Sequence, residues 1–300
     1  MREVFYLSYN NYMMKITHEF PLCYYLNGTA EKLTDYTYCL IHRYLDNKDY
    51  KRYMKDQVAK GRIVYLDNSL YELGLAWNSE GYAKIIKELK PTYYMLPDVF
   101  SGGLENKNSQ FDFLARYGNL PSNPIAIPHA KTLTELGMQT ASFCKELPED
   151  VMIAIPFGDS SFKNLNNEVG YFNKEDVPYE PLRMALNRKM FLKTNHFLLK
   201  NRKLHLLGCK SLAEFGSWNS NFNKENIVSL DTSHPVALTL EGPCNYYKWG
   251  FFNPEKNIKM PMYFYKPTFL IDDNFEESYN IDLTENVEYF QNYVKNWSKM

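Results

Sequence analysis

The chain has 300 residues, of which 45% are apolar, 16% aromatic and 23% charged, so it holds ample core material and no long polar, low-complexity stretch of the kind that stays disordered. Its formal net charge of −1 argues against a protein that holds nucleic acid or an anionic membrane by overall charge; such a partner needs a local basic patch. Five cysteines, Cys23, Cys39, Cys144, Cys209 and Cys244, are scattered without a C-x-x-C or C-x-C pair, which argues against a disulfide framework or a local zinc cluster and for reduced thiols.

The first stretch, "MREVFYLSYNNYMMK", has no long apolar segment, and nowhere do about 18 apolar residues run together. The expectation is a soluble, cytoplasmic chain with no membrane partner. "EVFYLS" or "FPLCYYLN" opens the strand series. The clear strands come next. "RIVYLDNSLYELG" ends its apolar run in Asp67, Asn68 and Ser69, and "TYYMLPDV" ends on Asp98. "NPIAIPHA" ends on His129, "VMIAIPFGD" on Gly158 and Asp159, "KLHLLGC" on Gly208, and "IVSLDTSHP" on Asp231. Between them lie helical patterns: "SEGYAKIIKELK" with a Ser at its N-cap, "KTLTELGMQTASFCKEL" and "PLRMALNRKMFLKTNHFLLK". "HPVALTL" or "MPMYFYKPTFL" closes the series, "YYKWGFFNPEKNIKMPMYFYK" reads as an irregular insertion, and "LTENVEYFQNYVKNW" as a terminal helix capped by Thr284.

Strands and helices alternating at about 30 residues, with near-continuous apolar strands, are the pattern of parallel βα units. No G-x-G-x-x-G or G-x-x-x-x-G-K motif follows any strand, which removes the usual nucleotide-binding reason for an open sheet. The expected fold is therefore α/β, a (β/α)8 TIM barrel forming a single domain over residues 1–300, in which polar residues at the C-terminal strand ends converge on one mouth.

Asp67, Asp98 and Asp231 are the strand-end carboxylates. Turn or helix-cap roles compete for each, because Asp67 precedes Asn, Asp98 follows Pro97, and Asp231 precedes Thr232 and Ser233. His129 and His234 adjoin prolines and suit loop hydrogen bonding, while His205 lies within a strand and reads as a core histidine. No H-x-H or H-E-x-x-H spacing supports a metal site from these groups.

The order of "YLDNSLYELG", "MLPDVF", "AIPHAK", "IAIPFGD", "KLHLLG" and "VSLDTSHP", from about Arg62 to Pro235, resembles the catalytic barrel of the tRNA-guanine transglycosylase superfamily, most of all its phage branch that exchanges guanine in DNA for a 7-deazaguanine. The resemblance implies a glycosyltransferase with Asp231 as nucleophile at C1′ and Asp67 as the group that moves protons on the departing and incoming bases. It implies a base-reading carboxylate at Asp98, and a pocket lined by His129, Phe157 and Gly158, with Asn68, Ser69, Gly208 and His234 at the same strand ends. The partners it implies are DNA and a free 7-deazaguanine such as preQ0, with no cofactor and a host-cell cytoplasmic location if phage-encoded.

The zinc motif C-x-C-x-x-C…H of the tRNA enzymes is absent, and "TSHPVALTL" stands in place of their "CVLPTR" segment, so DNA fits better than tRNA. A nucleic-acid backbone could be met by Arg183, Arg188, Lys189, Lys193, Lys200, Arg202 and Lys203, a stretch without an acid; a solvated helix face is the competing reading. Two other readings stay open: a catalytically silent barrel that binds nucleic acid, and a metal-dependent barrel hydrolase.

Overall fold

A computed structural model of the chain describes residues 13–100, 102–163, 171–178, 180–216, 224–241 and 280–299. Eight strands follow one another as β1 (Lys15–Thr17), β2 (Thr37–Leu40), β3 (Val64–Asp67), β4 (Tyr93–Met95), β5 (Asn123–Ala126), β6 (Met152–Pro156), β7 (Leu204–Leu207) and β8 (Ile227–Asp231). Consecutive strands from β2 to β8 pair in parallel, and β8 also pairs with β1. The seam between β1 and β2 is bridged by other bonds. The Asp35 N–H donates to Ile16 O at 2.8 Å, the Thr17 hydroxyl to Tyr36 O at 2.7 Å, and the Ile16 N–H to Asp35 Oδ2 at 2.9 Å. Helices alternate with the strands, and the architecture is the (β/α)8 barrel expected from the sequence.

The period of two along each strand divides the core. Tyr36, Tyr38, Leu40, Tyr65, Met95, Ile125, Ile127, Met152 and Ala154 fill the barrel interior, whereas Cys39, Val64, Leu66, Tyr94, Ala126, Ile153, Leu204, Leu206 and Leu230 face the helices. Tyr65 stacks within 4.5 Å of Tyr36 and 4.8 Å of Tyr93, ring centre to ring centre. Two residues beyond the inward Tyr65 comes Asp67, and two beyond the inward Ser229 comes Asp231, so the same alternation that fills the barrel aims both carboxylates into its mouth.

The six strands from "RIVYLDNS" onward stand where the apolar runs place them; both ends of the series differ. The first strand is the three-residue Lys15–Thr17, and β2 follows it, whereas the "FPLCYYLN" stretch forms the short helix Leu22–Leu26. "HPVALTL" is the helix His234–Glu241, with Pro235 in its first turn, where a missing N–H costs nothing. "EVFYLS", Cys244, "MPMYFYKPTFL" and the proposed insertion lie outside the described residues. The helix Ser79–Leu89 is capped by the Asn78 side chain, which accepts from the Gly81 N–H, and not by Ser79. The last helix spans Asn280–Lys299, so Thr284 is interior to it. That helix buries Leu283, Val287, Phe290, Val294 and Trp297, sets Phe290 5.7 Å from His18, and ties Lys295 to Asp35 at 2.9 Å. Cys23, Cys39, Cys144 and Cys209 form no disulfide with one another, and no helix among the described residues is long and apolar enough to cross a membrane.

Candidate active site

The C-terminal strand ends surround a cavity of about 860 Å³, a volume suited to a small ligand. Asp67, Asn68, Asp98, His129, Phe157, Gly158, Gly208, Asp231 and His234 all line it. Ser69 does not. It is fully buried, sits in a left-handed conformation at φ 60°, and turns its N–H onto Asp67 Oδ1 at 2.5 Å while its hydroxyl meets His42 Nδ1 at 2.9 Å. A non-glycine residue held there spends backbone strain on aiming a carboxylate.

Asp67 receives a second bond, 2.6 Å long, from the Tyr38 hydroxyl to Oδ2. Burial, with repulsion from Asp98 and Asp231, pushes its carboxyl up to about 7 against those two donors. Near neutral pH this group therefore exists in both protonation states.

Asp98 is the first member of a buried row. Its Oδ1 accepts from Asn68 Nδ2 at 2.9 Å, and its Oδ2 lies 2.7 Å from His129 Nε2. His129 Nδ1 in turn lies 2.9 Å from Asp159 Oδ2. Burial alone would lower the His129 pKa, but the bonds to Asp159 and Asp98 outweigh it and raise the imidazole to about 9. Both ring nitrogens are thus committed to carboxylates, so His129 lines the cavity with its polar atoms already engaged.

Three buried amides stand behind this row. Asn106 Oδ1 accepts from the Val99 N–H at 2.8 Å, and its Nδ2 donates to Ile127 O and Gln139 Oε1, each at 2.8 Å. Gln139 Oε1 also takes the His129 N–H at 2.7 Å, and Gln110 closes on the N–H and O of Ile127. The chain after β4 presses on the chain after β5 so tightly that a Cβ on Gly102, at φ +71°, would stand 2.4 Å from His129 O.

Across the cavity, Asp231 Oδ1 accepts from the Gly208 N–H at 2.9 Å and lies 2.9 Å from His205 Nε2. Its Oδ2 has no hydrogen-bonding partner among the described residues. His205 is fully buried with Nδ1 3.0 Å from the Ser229 hydroxyl, so the core reading of this histidine holds and it also touches the site. His234 opens the helix beside the cavity; burial, aided by Lys210, pushes its imidazole down to about 3.

The arginines of the basic stretch are internal, which corrects the phosphate-binding expectation for them. Arg188 is fully buried, forks onto Glu214 with bonds of 2.5 and 2.7 Å, and donates to the carbonyls of Ile155, Leu207 and Gly208. Arg183 binds the carbonyls of Val177 and Pro178, and Arg202 those of Cys144, Leu147 and Pro148. A guanidinium has five donors, enough to serve carbonyls that no helix or strand satisfies, and these three are spent in that way. Lys189 reaches Gly216 O at 3.0 Å; Lys193, Lys200 and Lys203 are exposed.

Site members the strand-end pattern did not single out include Tyr38, Glu19, Tyr71, Glu72, Lys163 and Lys210. Burial raises the carboxyls of Glu19 and Glu72, the latter reinforced by Asp67. Lys163 and Lys210 have no ion-pair partner among the described residues. Among those residues no group of three or more His, Cys, Asp or Glu side chains is arranged to hold a metal ion. No protein-family model matches the chain, and neither does any curated protein.

Proposed function

We propose that the protein is a DNA-guanine transglycosylase, exchanging guanine in DNA for a 7-deazaguanine base through a covalent glycosyl-enzyme on Asp231. The observation that carries the reading is the pairing, in one cavity, of an Asp231 oxygen left open for attack with an Asp67 carboxyl whose pKa of about 7 suits proton transfer in both directions.

In the first step Asp231 Oδ2 forms a bond to C1′ of the target nucleoside. The bond from C1′ to guanine N9 breaks, its electron pair leaves with the base, and the base takes the Asp67 proton. In the second step the incoming 7-deazaguanine gives a proton to the Asp67 carboxylate, its ring nitrogen bonds to C1′, and the ester to Asp231 breaks. Protons balance over the cycle, and two displacements at one carbon retain its configuration. Gly208 N–H on Oδ1 aims the nucleophile and leaves its other oxygen to react.

Asp98 supports guanine as the base. Each of its oxygens keeps acceptor capacity after binding Asn68 and His129, enough to take N1–H and the 2-amino group together. Lys163 and Lys210, lining the same cavity, offer positive charge to the phosphates beside an extruded nucleotide. DNA is preferred to tRNA on the missing zinc motif.

The test is incubation of guanine-labelled DNA, and separately tRNA, with preQ0 and related bases, followed by nucleoside mass spectrometry. The expected result is label release and deazaguanine incorporation into DNA. Asp231→Ala should lower exchange by about 10⁴-fold or more, and Asp231→Asn should keep DNA binding while losing exchange. Full exchange by either variant rejects Asp231 as nucleophile.

A further inference from the structure

The row Asp98–His129–Asp159 can be assigned from donors and acceptors alone. Asp159 is saturated as an acceptor. Its Oδ2 takes the Ala130 N–H at 3.1 Å besides His129, and its Oδ1 takes both the N–H, at 2.9 Å, and the hydroxyl of Ser161. Asp98 is turned by the Asn68 amide, whose own oxygen is fixed by the Leu70 N–H at 3.0 Å, so that the Nδ2 end faces the carboxylate. With both carboxylates ionised, each takes one donor from the ring between them, and an imidazolium, with two N–H groups, supplies both. The charged groups that face this ring are Asp98 and Asp159, with Asp67 acting on the far side of Asp98; the remaining close neighbour is the edge of Phe100, 5.7 Å away.

We infer that His129 is a positioning residue for base recognition: as an imidazolium clamped by Asp159, it fixes Asp98 as an ionised acceptor whose two oxygens face a ligand carrying two adjacent N–H donors. The inference deepens the transglycosylase reading, since it concerns how the same pocket chooses its base. Three observations stand behind it. The row is buried, with His129, Asp98 and Asp159 all under 5% exposed. The His129 backbone is pinned by Gln139, so the ring has little freedom to leave. Without the positive ring, three carboxylates, Asp67, Asp98 and Asp159, would share one desolvated wall with no counter-charge between them.

The test uses the full chain and does not require exchange. Nitrogen-15 NMR of the histidine rings should show both His129 nitrogens protonated at pH 7.5, with deprotonation near pH 9. Calorimetry with free guanine and with adenine should show guanine affinity falling at least tenfold in His129→Gln, with much of the preference over adenine lost. Where exchange is measured, KM for the base should rise while kcat changes little. Asp159→Asn, which keeps the shape and one acceptor, should bring the His129 titration down toward the ordinary imidazole range and move the alkaline loss of guanine binding with it. A neutral His129 ring at pH 7.5, or guanine affinity unchanged in both folded variants, overturns the inference. Guanine binding with these dependences but no exchange on DNA or tRNA supports the inference and rejects the catalytic assignment of Asp231.

Discussion

The two walls of the cavity are built differently. The wall with Asp98 is locked from behind: Asn106, Gln110 and Gln139 cross-link the chain after β4 to the chain after β5, and every polar atom of the row has a partner within about 3 Å. The wall with Asp231 is held at fewer points, chiefly by Gly208 and the close approach of His205, and keeps one carboxylate oxygen open. A group that must read a ligand benefits from being immobile, whereas a group that must form and break a bond needs an unspent lone pair. Under the proposed function, the contrast separates a rigid, recognising wall from a reactive one.

Arg188 is the sharpest way to break the second wall. Its guanidinium holds the carbonyls of Ile155, Leu207 and Gly208 while Glu214 neutralises it, so Arg188→Ala strands a buried carboxylate and frees the Gly208 clamp on Asp231. Urea unfolding should show a loss of about 3–5 kcal/mol, whereas the exposed Lys193→Ala and Lys203→Ala should stay within about 0.5 kcal/mol. Equal effects from all three would return the stretch to the surface.

Asp67 lies between the walls. Asp67→Asn should lower exchange at least about 10²-fold and remove an inflection near pH 7 from the rate profile. The same substitution reports on stability. Because the folded carboxyl titrates near 7 and the unfolded one near 3.8, the folded chain binds the extra proton between those values, and stability falls as pH rises through that window. The melting temperature of the variant relative to the parent should therefore climb from pH 4 to pH 8 and level off above. A difference independent of pH would show that Asp67 titrates normally.

Asn106→Ala tests the first wall more gently. It leaves the Val99 N–H without its partner and Ile127 O with Gln110 alone, which should cost about 1–3 kcal/mol in denaturation and weaken base binding more than turnover. An effect on turnover alone would contradict the division of labour between the walls.

Much of this was legible in the chain. The strands β3 to β8 announce themselves because each is a short apolar run that stops at a polar residue or a glycine, and the inward parity of Tyr65 and Ser229 carries through to Asp67 and Asp231. β1 was hidden because three residues beginning with a lysine make no pattern, and β2 because its run passes from Leu40 straight into the helix Ile41–Asp46 with no polar residue or glycine to end it. The contact of His205 with Asp231 depends on register. Leu204 pairs with Ile227 but His205 with Ser229, an irregularity that passes over Val228, and no spacing in the sequence marks it. The arginines misled for a different reason. Charge counts cannot tell a solvated guanidinium from one spent on backbone carbonyls, and Arg183, Arg188 and Arg202 are of the second kind.

The bond between His18 and Thr232 joins residues 214 apart, in the same place where β1 lies against β8 and Thr17 sits opposite Asp231. Bringing such distant stretches together carries a large entropy of loop closure, and β8 emerges during synthesis only after seven strands are already available to collapse. A growing chain that stops short of Ile227 thus carries Asp67, Asp98 and His129 but lacks Asp231, and the mouth is completed only at the final closure of the ring.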